Sequence, residues 1–148
     1  MYLIDGNNLI GHTRDISYHD PQARQKLLDR LMPYLEGKQR KAVVVFDGPP
    51  QALQKNRWLQ LVFAGHRVKA DDRIRQMVEK VRNPKELCVV SSENSVYSYA
   101  RNCGSPALKC HEFNRLLQQA PPREEKQENR DLPVGDLKHW LRYFGEEE

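Results

Sequence analysis

The chain has 148 residues, of which 39% are hydrophobic and 30% are charged, and its formal net charge is +4. This length suits one domain, and no apolar run approaches the roughly 20 residues that a membrane helix needs, so we expect neither a second full domain nor a membrane protein. The three cysteines, Cys88, Cys103 and Cys110, include no Cys-x-x-Cys pair, which argues against a disulfide framework and against a zinc site.

The first part of the chain predicts a strand, a helix and a second strand. Residues 2–4 are apolar and end in Asp5-Gly6, so we expect a buried strand followed by a turn. Asp20-Pro21 predicts the start of a helix in which Pro33 causes a kink or an early end, before a stop at Gly37. The core face of this helix carries Leu27, Leu28, Leu31 and Leu35. Residues 42–46 are apolar throughout, which favours a strand buried on both faces of a parallel sheet.

The alternation of strand and helix continues along the chain. We predict strands at 59–63, 87–90 and 107–110, and helices from Asp71 or Asp72 to Val81, up to Cys103 before a stop at Gly104, and at 113–117. This alternation is typical of an α/β fold, a three-layer sandwich around a mainly parallel sheet of about five strands.

Three segments are predicted along the chain. Residues 1–118 form the α/β domain, and the polar residues 119–131 form a linker. Residues 132–148 form an amphipathic helix, which we expect to dock on the domain rather than on a partner. Its apolar face carries Leu137, Trp140, Leu141 and Phe144. The apolar start of the chain is too short for a secretory signal, so a cytoplasmic location is expected.

Acidic side chains follow the predicted strands where the strands end. Asp5, Asp47 and Glu93 each follow an apolar run, and Asp71-Asp72 begins a helix that should open near the same edge of the sheet. Because the carboxyl ends of parallel strands line one crevice, these carboxylates can converge on one site. Carboxylates packed together repel one another unless a cation binds, and oxygen ligands without a His or Cys set favour Mg²⁺ or Mn²⁺ over zinc.

Most of these acids also have a purely structural interpretation. Asp47 precedes a glycine and can be a simple turn former, and one of Asp71 and Asp72 can be a helix cap. Glu93 can be a solvated loop acid. Their shared position at one edge of the sheet favours the metal site over these separate explanations.

Asp5 is the strongest candidate for a metal ligand. It follows a buried strand and is followed by Asn7 and Asn8, whose amides can orient water, bind a ligand or shape the turn. A divalent ion held there would lower the pKa of a bound water, which generates a nucleophile, and would neutralise charge on a scissile phosphate. These residues therefore favour phosphodiester chemistry.

The charge of the chain is unevenly distributed. Residues 38–82 contain eleven Lys and Arg against four Asp and Glu, whereas residues 123–148 contain five against eight. A basic segment around an acidic centre is the arrangement that a nuclease needs, because the cations can hold the phosphates that flank the cut. Ordinary solubilising surface charge would explain the same counts.

Four motifs in this order resemble the NYN domains, a branch of the PIN-like nucleases. They are Tyr-Leu-Ile-Asp-Gly-Asn-Asn-Leu-Ile at 2–10, Val-Val-Val-Phe-Asp-Gly at 43–48, Lys-Ala-Asp-Asp-Arg-Ile at 69–74 and Val-Val-Ser-Ser-Glu-Asn at 89–94. The match is closest to the YacP-like subgroup, whose members include ribosome-associated endoribonucleases, and it covers residues 1–118. The ending Trp-Leu-Arg-Tyr-Phe-Gly at 140–145 is also similar to the tail of such proteins.

The resemblance implies a PIN-like sheet and a Mg²⁺- or Mn²⁺-dependent endoribonuclease. Its implied substrate is single-stranded or ribosome-bound RNA, including mRNA, which is cut by a metal-activated water. By motif position the catalytic, metal-holding acids are Asp5, Asp71 and Glu93, where Glu93 replaces the usual Asp of the family and reaches one methylene further. The supporting ligands are Asp47 and Asp72, Asn8 is a further catalytic residue that would position ligands, and Asn7 and Ser92 are supporting residues. The RNA contacts expected from the basic 38–82 segment are Lys55, Arg57, Arg67, Lys69 and Arg73.

Three other functions stay open. A non-catalytic RNA-binding or ribosome-binding module would keep the fold and the basic surface, and Glu93 in place of Asp favours it. A small-molecule phosphohydrolase is disfavoured because the chain has neither an Asp-x-Asp start nor a GxxxxGK[ST] loop. A flap nuclease shares the Asp-Gly-Asn opening but needs additional helical DNA-binding elements, for which this length leaves little room.

Overall fold

A five-stranded parallel sheet forms the centre of the molecule. The computed structural model describes residues 1–119 and 140–141. Within them the strands pair in the order β3-β2-β1-β4-β5, and every pairing is parallel. The strands are β1 at Tyr2–Asp5, β2 at Ala42–Phe46, β3 at Leu59–Phe63, β4 at Cys88–Val90 and β5 at Ala107–Leu108.

Helices cover both faces of this sheet, as the alternating pattern predicts. They are α1 at Gly6–Gly11, α2 at Ala23–Lys38, α3 at Ala70–Lys80, α4 at Asn94–Asn102 and α5 at Cys110–Gln119, with a short 3-10 helix at Pro84–Glu86. The three-layer α/β prediction is therefore confirmed. None of these helices is long and apolar enough to cross a membrane, so far as the described residues go. The three cysteines are free thiols.

Two hydrophobic cores lie on opposite faces of the sheet, because successive side chains of a strand point to opposite sides. Leu3 of β1 packs in one core with α3 and α4, whereas Tyr2 and Ile4 pack in the other with α1, α2 and α5. Every residue of β2 is buried, as the unbroken apolar run at 42–46 predicts.

The predicted turn at Asp5-Gly6 is wrong, because a helix begins there instead. Helix α1 starts at Gly6 directly after β1. A Cβ at Gly6 would lie 2.4 Å from Cε1 of Phe46 and 2.9 Å from Cγ1 of Val44. Only a glycine therefore allows α1 to pack against β2. Six residues with an adjacent apolar pair at Leu9 and Ile10 are too few for a helical period to be recognised in the sequence.

Helix α2 begins and ends later than its sequence signals indicate. The Asp20 carboxylate accepts a hydrogen bond from the Gln22 backbone N–H at 2.8 Å, so it shapes the turn before the helix. Pro33 lies on the exposed side, where water can replace the lost backbone bond, and the helix continues to Lys38. Gln39, rather than Gly37, takes the left-handed conformation at the end, with φ 54°.

The last predicted strand is shorter than expected and the following helix is longer. Strand β5 contains Ala107 and Leu108, and Cys110 already starts α5. The predicted linker lies outside the described residues, apart from its first residue. Of the predicted terminal helix, Trp140 and Leu141 are described; both are helical and buried in the core beside α3.

Candidate active site

The acidic side chains meet at the carboxyl edge of the sheet. Strands β1, β2 and β4 run parallel, so the residues that follow them come together with the start of α3. A cleft of about 370 Å³ opens at this edge. Its acidic lining consists of Asp5, Asp47, Asp71 and Glu93. Four of the five candidate carboxylates thus lie around one cleft.

Asp5 is the buried acid of the cleft, with 4% of its surface exposed. Its Oδ2 accepts a hydrogen bond from the Ser91 hydroxyl at 3.1 Å. The pKa of Asp5 is raised to about 6, chiefly by burial and in smaller part by the negative charges of Asp47 and Asp71; the hydrogen bonds from Ser91 and the Asn8 backbone act in the opposite direction. The Asp5 carboxylate is therefore costly to ionise in this site unless a cation comes close.

Asn7 and Asn8 join the loops of the cleft. The Asn7 side-chain oxygen accepts a hydrogen bond from the Asp47 backbone N–H at 2.9 Å, which connects α1 to the end of β2. The Asn8 side-chain oxygen accepts one from the Ser92 backbone N–H at 2.8 Å, and the Cys110 thiol lies 3.2 Å from the same oxygen. The two amides therefore set the spacing of the loops that carry the acids.

Ser91 is a site residue that sequence reasoning missed, since Ser92 was preferred. Ser91 is fully buried, and its hydroxyl donates to Asp5 and accepts from the Glu93 backbone N–H at 3.1 Å. The hydroxyl of Ser92 instead accepts a hydrogen bond from the Cys110 backbone N–H at 2.9 Å. The parallel register pairs Ile4 with Val90, so the residues that follow them in sequence, Asp5 and Ser91, are neighbours. Asp5 and Ser91 each come directly after an apolar run, and this shared position was the sequence signal that could have identified Ser91.

Asp47 and Asp71 flank the start of α3. The Asp47 Oδ1 accepts a hydrogen bond from the Ala70 backbone N–H at 2.8 Å, and the Asp71 Oδ1 accepts one from the Asp72 backbone N–H at 2.8 Å. Each carboxylate thus satisfies a free N–H group of the first turn while it lines the cleft. The structural interpretation and the functional prediction for these two residues are compatible.

Asp72 is the one predicted acid that lies outside the lining of the cleft. Its carboxylate forms a hydrogen-bonded ion pair with Arg75, and its side chain is 49% exposed. Arg75 also donates to the Ser95 hydroxyl at 3.1 Å and lies 3.9 Å from the Asp71 carboxylate. Arg75 therefore connects α3 to α4, and Asp72 helps to hold it.

Glu93 lies at the start of α4, where its carbonyl oxygen accepts hydrogen bonds from the backbone N–H groups of Val96 at 3.0 Å and Tyr97 at 2.8 Å. Its side chain is exposed and lines the cleft together with the buried Asp5.

The donor chemistry of the cleft fits a hard divalent cation. The acids contribute oxygen atoms only, which suits Mg²⁺ or Mn²⁺, and the ionisation of the buried Asp5 would be favoured by a nearby positive charge. In the part of the chain that the structure describes, no three His, Cys, Asp or Glu side chains are grouped closely enough to hold an ion. An ion here would therefore be held by one or two carboxylates directly, with water completing its coordination.

The predicted RNA contacts are not all near the cleft. Lys69 lines it, whereas Lys55, Arg57 and Arg67 are exposed on the surface outside its lining. Arg73 is half-buried and donates to the Ala64 carbonyl oxygen at 3.4 Å.

The side chains of His12 and Tyr18 also line the cleft and were not predicted. His12 Nδ1 lies 2.9 Å from the Asn8 carbonyl oxygen, and Tyr18 is 56% exposed. Both follow the unpredicted α1, so no sequence signal connected them to the acids.

The chain is similar to proteins of one family in sequence and in fold. The model of the YacP-like NYN domain matches residues 2–139. The crystal structure of Rae1 (YacP) from Bacillus subtilis superposes with a TM-score of 0.66 at 22% identity, covering 80% of this chain and 73% of that one. A tryptophan-to-leucine mutant of the same protein gives a TM-score of 0.66 at 23% identity, covering 79% and 74%. No curated protein matches.

At these identities the two crystal structures show the fold alone. The family model, in contrast, spans nearly the whole sequence, including the four acids that line the cleft. The chain belongs to the YacP-like NYN domain family.

Proposed function

We propose that this protein is an endoribonuclease that cuts single-stranded or ribosome-bound RNA with the help of Mg²⁺ or Mn²⁺. Membership of the YacP-like NYN family supports a nuclease-type, RNA-related function. The observation that carries the proposal is the cleft itself, in which the buried Asp5 lies among three other carboxylates at one edge of the sheet.

The proposed metal ligands, directly or through water, are Asp5, Asp71 and Glu93, with Asp47 as a supporting ligand. When bound, the cation would supply charge neutralisation at the scissile phosphate and acidify the attacking water. Asp5 would take part only in its ionised form, because a metal ligand has to be deprotonated. Ser91 and the Asn8 backbone, which stabilise the charged carboxylate, would keep it oriented.

The remaining residues of the cleft would bind the RNA. The Lys69 ammonium can pair with a phosphate next to the acids, which offsets the repulsion between RNA and the carboxylates. The exposed ring of Tyr18 offers a face on which a base can stack. Binding of single-stranded RNA by charge and stacking does not depend on base identity, so we expect weak sequence preference.

A non-catalytic RNA-binding or ribosome-binding module is the second candidate. It is favoured by one observation: the acids share a cleft, yet those in the described part of the chain are not assembled into a three-ligand group. The side chain of Glu93, one methylene longer than the usual Asp, would likewise hinder the assembly of a three-ligand metal site. The two functions differ in whether metal addition leads to cutting.

The deciding experiment is cleavage of an end-labelled single-stranded RNA with Mg²⁺, Mn²⁺ or EDTA. The wild-type protein is compared with Asp5→Asn and with Asp29→Asn, a matched change on the exposed side of α2 outside the cleft. We expect internal, metal-dependent cuts by the wild type and by Asp29→Asn, and a loss of at least about a hundredfold for Asp5→Asn.

Each other result has a definite meaning. RNA binding without cutting, on free RNA and on programmed ribosomes, would replace the nuclease with the binding module. Equal cutting by all three proteins would show that the activity does not come from this cleft.

A further inference from the structure

A second, larger groove lies beside the acidic cleft. Its volume is about 680 Å³, and it is lined by the segment after α1, by α2 and by α5. His12 lines both the groove and the cleft, so the two depressions meet at this residue. A polymeric ligand that is bound at the acids and extends past His12 would therefore enter the groove.

The groove is positively charged. Its cationic side chains are Arg14, Arg30 and Arg115, and its acid is Asp15. Arg30 neutralises Asp15 through two hydrogen bonds of 2.9 and 2.7 Å. Arg14 and Arg115 are exposed and form no ion pair with any other described residue. Two arginines with unused donors therefore face a concave surface next to the acids.

The floor of the groove is held by side-chain hydrogen bonds. Asn114 of α5 donates to the His12 carbonyl oxygen at 3.1 Å and to the Thr13 hydroxyl at 3.2 Å. The Thr13 hydroxyl, which is buried, donates to the Leu9 carbonyl oxygen at 2.7 Å. The segment that carries Arg14 is thereby joined to both α1 and α5, so a ligand would meet a preorganised surface.

Most basic residues of the middle segment are less suitable for this task, since Lys55, Arg57 and Arg67 lie outside the lining of the cleft. Lys69 reaches the cleft, but Arg75 is paired with acids and Arg73 is folded against the Ala64 carbonyl. The four carboxylates of the cleft repel a polyanion, so its binding requires cations on the adjacent surface that contacts the rest of the polymer. Arg14 and Arg115 lie beside the cleft and have no competing partner in the described residues.

We propose that this groove binds the phosphate backbone of the RNA segment that flanks the cleft, with Arg14 and Arg115 as the phosphate contacts. The inference rests on the proposed RNA function and extends it, since it places the substrate along α5 rather than along the residue 38–82 surface. His111, which also lines the groove, can donate a further hydrogen bond to a phosphate oxygen.

The test is binding of fluorescently labelled single-stranded RNA in EDTA, so that binding is measured without cutting. RNAs from about 4 to about 16 nucleotides cover the range of site sizes known for single-strand binders. We expect wild-type affinity to increase with RNA length. The Arg14→Gln/Arg115→Gln variant should lose that increase, and its log-log salt dependence should fall by about 1.4, at about 0.7 for each lost phosphate contact.

Three control variants accompany this pair. Arg14→Lys/Arg115→Lys keeps both charges and should retain most of the binding. Lys80→Gln/Lys85→Gln removes two exposed charges at the opposite edge of the sheet and should bind like the wild type. Lys55→Gln/Arg57→Gln tests the surface that the sequence predicted. Thermal unfolding of every variant checks the fold.

The inference is overturned if Arg14→Gln/Arg115→Gln binds long RNA like the wild type, if Lys55→Gln/Arg57→Gln alone causes the loss, or if the wild type binds no RNA. Groove-dependent binding by a protein that never cuts RNA would support the inference and overturn only the nuclease.

Discussion

At the scale of single residues, the ionised form of Asp5, which metal binding would require, lowers the stability of the metal-free fold. The carboxylate is buried beside other acids, which raises its pKa from 3.8 to about 6. The folded protein therefore holds the proton more tightly than the unfolded chain does. The stability provided by the protonated Asp5 is complete below the pKa of the unfolded chain, 3.8, and is lost as the pH rises through about 6.

We predict that Asp5→Asn stabilises the metal-free protein at neutral pH. The rise in the pKa of Asp5 from 3.8 to about 6 corresponds to roughly 3 kcal/mol, and asparagine mimics the protonated carboxyl without its ionisation cost. Urea unfolding in EDTA at about pH 5 and about pH 7.5 checks this, because the wild type should lose more stability between the two values than the variant. Parallel losses in both proteins would show that Asp5 is not the group responsible.

Gly6 is the second residue whose role depends on its surroundings. We predict that Gly6→Ala destabilises the fold by about 1–3 kcal/mol, because the new methyl group would overlap the ring of Phe46 and push α1 off β2. The matched control is Gly37→Ala in α2, where nothing lies within 4 Å of the added Cβ. The control should be neutral or stabilising by up to about 1 kcal/mol in the same urea assay. Equal effects of the two changes would contradict the packing argument.

At the scale of elements, the start of α3 depends on a residue from another loop. Lys69 at the N-cap makes no side-chain capping bond, and the Asp47 carboxylate accepts the Ala70 N–H instead. The cap therefore joins the end of β2 to α3 and carries Asp71 into the cleft.

We predict that Asp47→Ala costs about 1 kcal/mol of stability, as the loss of a helix cap usually does. Asp47→Asn should stay within about 0.5 kcal/mol of the wild type, because the amide oxygen can accept the same hydrogen bond. The measurement is the urea midpoint of both variants at neutral pH. A loss in Asp47→Asn as large as in Asp47→Ala would mean that the charge, and not the hydrogen bond, stabilises α3.

At the scale of the whole molecule, the core beside α3 includes a residue from near the end of the chain. Trp140 is buried in this core, and its indole N–H donates to the Met77 carbonyl oxygen at 3.2 Å. Met77 is among the last four residues of α3, whose carbonyl groups have no partner within the helix. Trp140 thus fills the core and satisfies a helix end.

We predict that Trp140→Ala destabilises the protein by about 3–5 kcal/mol through the cavity that it creates. Trp140→Phe keeps most of the apolar contact and should cost less, including about 1 kcal/mol for the unpaired Met77 carbonyl. Thermal and urea unfolding of the full chain measure both. A negligible effect of Trp140→Ala would show that this end of the chain adds little to the fold.

The sequence by itself determined the fold class, the order of the strands and of the helices other than α1, and the candidate acids at one edge of the sheet. The unbroken apolar run of β2 and the alternation of strands with amphipathic helices such as α3 can be read directly from the local hydrophobic pattern of the sequence. Because parallel strands end at one edge, the same periodicity predicted that Asp5, Asp47, Asp71 and Glu93 would meet, and they line one cleft.

Only the tertiary structure decided how these acids are held and what lies around them. Helix α1, the Ser91–Asp5 hydrogen bond and the separation of Asp72 from the cleft depend on contacts between residues far apart in sequence, such as Gly6 against Phe46. The basic groove likewise arises where Arg14 and Arg115, about a hundred residues apart, approach through α1 and α5. Local pattern specifies which elements form, whereas packing specifies which side chains share a site.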